Sequence, residues 1–62
     1  MKEVATILFK DASTSDDAVA VVRYDDKIVA ITLSVLSGSD VDVAMSKADA
    51  RAFLEALKVA VA

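Results

Sequence analysis

The chain has 62 residues, a formal net charge of −3, and no cysteine, histidine, tryptophan or proline. These absences exclude a disulfide framework and a thiolate or imidazole metal site, and they remove the commonest general base. The hydrophobic fraction of 56% is too high for a disordered chain, and the acidic balance offers no overall attraction to polyanions.

One domain, residues 1–62, is the only reasonable division at this length. A chain this small buries only about 60% of the surface that its unfolded form exposes. Domains of this size draw extra stability from disulfides, a metal or a partner subunit. With the first two excluded by composition, oligomerisation is the remaining route. Met1-Lys2-Glu3 precedes a six-residue apolar stretch, Val4 to Phe9, which is too short for the apolar region of a signal peptide. No uncharged stretch approaches the ~18 residues of a membrane span, so a cytoplasmic location without membrane contact is expected. Abundant alanine, valine and aspartate without asparagine point to a GC-rich bacterial or phage source.

Taken in chain order, a first strand is predicted over residues 4–10. Asp11-Ala12-Ser13-Thr14-Ser15-Asp16 follows, a loop rich in turn formers. A second strand covers 17–24 and ends at Asp25-Asp26. A third covers 27–36 and is dense in β-branched residues. Ser37-Gly38-Ser39 holds the single glycine and reads as a hairpin turn, and a fourth strand covers 40–45. Connections this short require antiparallel pairing, because parallel strands need crossovers of a dozen or more residues. Ser46 is a good N-cap, with Asp49 three residues on, and no proline or glycine interrupts a helix over 47–62. The predicted fold is therefore α+β: a four-stranded antiparallel β-meander followed by one C-terminal α-helix packed on one sheet face.

A two-residue turn at Asp25-Asp26 sets Val22 opposite Val29 and Ala20 opposite Ile31. One face then carries Ala18, Ala20, Val22 and Tyr24 beside Val29, Ile31, Leu33 and Val35. A three-residue loop at 37–39 adds Val41, Val43 and Met45 to that face, whereas a two-residue loop would turn them away. The opposite face carries Val19, Val21, Ile28, Ala30 and Leu36, relieved by Arg23, Thr32 and Ser34.

On a helical projection, Phe53, Leu57, Ala50, Val61 and Leu54 cluster on the side that should meet the sheet. Lys47, Lys58, Arg51 and Glu55 form a narrow polar stripe. Ala48, Ala52, Ala56, Val59 and Ala60 fill a third sector, broken by Asp49. The apolar arc spans roughly 240°, far beyond the stripe of an ordinary surface helix. Two readings stand: alanine is a strong helix former that tolerates water, or the sector is a seat for another chain.

The aspartate pairs flanking the second strand could suggest a metal or acid/base site. Asp17 and Asp25, however, stand about 26 Å apart at strand spacing and cannot act together. Asp11, Asp16, Asp17 and Asp40 do gather at one end of the meander, near Ser13, Ser15, Ser37 and Ser39. They have no known ligand spacing and read as a solvated acidic rim. No serine has a histidine to activate it, and one glycine excludes a glycine-rich phosphate loop. No catalytic residue, metal ligand or cofactor is therefore assigned.

The expected function is a small non-enzymatic protein-interaction module of accessory, inhibitory or regulatory kind, working as a homo-oligomer with a protein partner. The preferred interface is Val19, Val21, Ile28 and Ala30, and the alternative is Ala48, Ala52, Ala56 and Val59. A runner-up is a single-stranded nucleic-acid binder using the exposed sheet face, since certain DNA-binding modules share this topology. Its groove would have only Lys10, Arg23 and Lys27 among the strands, with Phe9 and Tyr24 to stack on bases, so nucleic acid is not the expected partner. A small-ligand binder with its pocket between subunits is the third reading.

Overall fold

A computed structural model describes all residues from Met1 to Ala62. Strands β1 (Lys2–Lys10), β2 (Asp17–Tyr24), β3 (Ile28–Val35) and β4 (Asp40–Ser46) precede helix α1 (Lys47–Val61). The four strands form one antiparallel sheet in the order β1-β2-β3-β4, so each pairs with its neighbour in sequence. The predicted fold class and the order of its elements are those observed. The Cα trace is a slab of 34 × 28 × 16 Å.

The pairing registers differ from the sequence reading by two residues in both later hairpins. Val22 faces Ile31 rather than Val29, and Ala20 faces Leu33. Asp25 causes the first shift: its carboxylate accepts from the backbone N–H of Lys27 and of Ile28, both at 2.9 Å, which lengthens the turn. In the next hairpin Leu33 pairs with Val41, and Gly38 N–H donates to Val35 O at 3.1 Å inside a longer loop. A shift of two preserves the alternation of faces, so the residue sets on the two faces stay as read.

The first face carries Lys2, Ala5, Ile7 and Phe9 from β1 and Ala18, Ala20, Val22 and Tyr24 from β2. To these β3 adds Val29, Ile31, Leu33 and Val35, and β4 adds Val41, Val43 and Met45. The register slips between Glu3 and Ala5, a bulge at Val4 that disturbs this outer strand near its start. Such irregularities blunt a sheet edge against further pairing.

Helix α1 starts where the sequence indicates. Ser46 is extended at φ −66°, ψ 162°, and its Oγ accepts from Asp49 N–H at 3.1 Å. Asp49 in the first turn and Lys58 in the last complement the helix dipole. The helix turns back over the first face and packs on β3 and β4 alone, apart from Lys47, whose ammonium lies 5.1 Å from the Tyr24 ring centroid. Phe53 closes an apolar cleft with Ile31, Leu33, Val41, Val43 and Met45. No helix is long and apolar enough to cross a membrane.

Candidate functional site

Only Ala18 and Ala30 are buried. The residues that should form a core stand half open: Ile7 is 51% exposed, Leu33 47%, Phe53 45% and Leu57 45%. The reason is width. Four strands at about 4.8 Å spacing present a face nearly two helix diameters across, and one helix is about 10 Å wide. α1 takes the β3–β4 half of the face, and the half made by β1 and β2 lies bare. Its floor is Ala5, Ile7, Phe9, Ala20 and Val22, and the one charged side chain on this half of the face is Lys2, opposite Tyr24 at the end of β1.

The second face is laced with hydrogen bonds. Arg23 Nη2 donates to Thr32 Oγ1 at 3.2 Å, and the Thr32 hydroxyl donates to the Asp42 carboxylate, so one polar chain crosses β2, β3 and β4. Arg23 lies on an inner strand, and its Nε is buried without a partner. Ser34 Oγ donates to Asp40, Thr6 Oγ1 to Glu3 at 2.8 Å, and Lys10 pairs with Asp17. Val19, Val21, Ile28 and Ala30 sit on this face, half-buried or buried within the sheet itself. A shallow hollow lined by Leu8, Val19 and Leu36 opens at the loop end, with Leu8 79% exposed. Ala48, Ala52, Ala56 and Val59 all lie exposed on α1.

The acidic rim divides into separate roles. The Asp11 carboxylate accepts from Ser13 N–H at 2.7 Å and Thr14 N–H at 3.2 Å, which folds the first loop. Asp16 accepts from the Ser37 hydroxyl, Asp17 is held by Lys10, and Asp40 by Ser34. No three acids converge into a group that could hold a metal ion. The β1–β2 loop and the β3–β4 loop do meet at one end of the sheet, as the Asp16–Ser37 bond and the Leu36 N–H to Asp17 O bond of 2.9 Å show. At the other end the Asp25 carboxyl is held below the usual range. The backbone N–H groups of Lys27 and then Ile28 stabilise its ionised form.

These features define a small α+β domain with one half-covered apolar face and one mixed face, where a hydrogen-bonded polar chain runs among apolar residues. No protein-family model, curated protein or solved structure matches the chain. The sequence reading assigned the first face to the helix, and so left Ile7, Phe9 and Leu33 out of the candidate interface. The signal was present in the arithmetic of element widths: four strands against one helix.

Proposed function

We propose that this protein is a small non-enzymatic interaction module that works as a homo-oligomer and engages a further protein through its outer, acidic surface. The observation that carries the reading is the near-absence of a core: two alanines are buried, while fifteen large apolar side chains are exposed. Soluble monomers seldom leave apolar patches beyond a few hundred Å² open to water. With no cysteine and no histidine, this fold has neither a disulfide nor a common metal site to offset that deficit. Glu3, Asp17, Asp40 and Asp42 give the mixed face and its loop end an acidic character that suits a basic partner by complementarity. A cytoplasmic location goes with this reading.

Sedimentation equilibrium across the micromolar range tests it. A mass of two or more chains is expected at every concentration. A single-chain mass throughout, with a cooperative melt, would overturn the proposal.

A further inference from the structure

The bare strip over β1 and β2 has a shape that says what fills it. α1 already stands on the other half of the same face, so a second sheet cannot approach the strip directly: the helix holds it about 10 Å away. The missing element must match α1 in thickness and lie beside it. It must be apolar where it touches Ile7, Phe9 and Val22, because the middle of the strip has no charge to satisfy and Lys2 stands at its end, beside Tyr24. Another α1 meets both conditions. Its 15 residues extend about 22 Å, close to the length of the strands it would cover. Its charges lie on one stripe, Lys47, Arg51, Glu55 and Lys58, apart from Asp49 in the first turn. The other sides are free to pack between two sheets and against a second helix.

We infer that two copies of this chain close face to face about a two-fold axis, with both helices sandwiched between the sheets, each filling the β1–β2 strip of the other. The inference rests on the homo-oligomer reading above and adds the face, the occupant and the arrangement. A two-fold axis lying in the helix layer and running along the strands carries one helix onto the vacant half of the opposite sheet, so the contact closes upon itself.

Surface area supports the same occupant. A compact monomer of this mass, 6.5 kDa, exposes about 3,800 Å². The chain exposes 4757 Å². The excess of roughly 900 Å² is what one partner contributes to a standard stable interface, about 800 Å². The radius of gyration, 12.5 Å, also exceeds the value of about 10.6 Å for a compact chain of this length. Charge does not oppose the pairing of two acidic copies, because no carboxylate lies on the contacting sheet face: Glu3, Asp40 and Asp42 point to the other side. A surface whose burial completes the fold needs its occupant whenever the chain is folded, and a second copy is the one partner always present.

Isotope-filtered NOE spectroscopy on wild-type protein, mixed from labelled and unlabelled copies, tests the arrangement without any substitution. Contacts between copies are expected from α1 of one chain to Ile7, Phe9 and Val22 of the other. In parallel, Ile7→Lys should weaken self-association at least a hundredfold, and Leu36→Lys should leave it unchanged. Intermolecular contacts confined to Val19, Val21 and Ile28, or to helix against helix alone, would overturn this arrangement while leaving the homo-oligomer intact. A single-chain mass for wild type would overturn both.

Discussion

Asp25 and Ile28 exchange two hydrogen bonds. Asp25 N–H donates to Ile28 O at 3.0 Å, and Ile28 N–H donates to the Asp25 carboxylate at 2.9 Å. The side chain thus closes the β2–β3 turn by standing in for a backbone acceptor, the role that suits aspartate to turns. Its carboxyl is held below the ordinary value of 3.8, first by Lys27 N–H and then by Ile28 N–H. A group whose folded value is depressed adds stability that is present above its unfolded value and disappears as the pH falls through the folded one. The melting temperature of Asp25→Ala is therefore expected below that of wild type at neutral pH, with the gap closing as the pH drops below about 4. Asp25→Asn, which keeps an acceptor oxygen, should lose less. Thermal melts across pH check both; a gap that widens in acid would contradict the role.

The helix cap gives a second expectation. Ser46 Oγ satisfies Asp49 N–H, one of the first-turn donors that no helical carbonyl can reach. Ser46→Ala should cost about 1 kcal/mol, measured by denaturant unfolding, and Ser46→Asp should restore most of it.

Two loop positions should respond in opposite directions. Gly38 does not adopt a positive φ, and a Cβ added there meets nothing within 4 Å. Gly38→Ala should therefore be neutral or stabilise by about 0.4–1 kcal/mol, since it narrows the unfolded ensemble without straining the fold. Ser15 has φ 66°, in the left-handed region. A β-branched side chain fits poorly there, so Ser15→Val should destabilise by about 1–3 kcal/mol. Chemical denaturation of both variants at one protein concentration makes the comparison.

If the apolar face is completed by association, stability depends on concentration. The melting temperature should rise with each tenfold increase in protein, as it does whenever a partner binds only the folded state. Phe53→Ala, which removes the helix wall of the cleft beside Leu33 and Val43, should lower the melting temperature at every concentration. A wild-type melt independent of concentration over the micromolar range would contradict the association.

The order of elements and the residue sets on the two faces were legible because alternation, turn residues and a capping serine are local signals. The strand registers were less so: whether Val22 meets Val29 or Ile31 depends on which N–H groups the Asp25 side chain captures. The loops show the limit most clearly. The only glycine marks Gly38 as the conformationally special position, yet the strained backbone is at Ser15, where Asp11 O accepts from Ser15 N–H at 2.8 Å and the Asp11 carboxylate holds the two preceding residues. For the candidate site, Val19, Val21 and Ile28 read as an uncovered surface because one helix cannot cover both faces of a sheet and their face holds few charges. Their actual surroundings include the Arg23–Thr32–Asp42 chain, which joins residues from three strands. Tertiary hydrogen bonding of that kind leaves no trace in periodicity.

Because every strand pairs with the one just before it, the sheet can assemble in the order of synthesis, hairpin by hairpin from the N-terminus. Helix α1 comes last. During translation the strip over Ile7 and Phe9 is therefore complete before α1 exists, and the chain passes through a stage in which the bare half of its apolar face is also its oldest part.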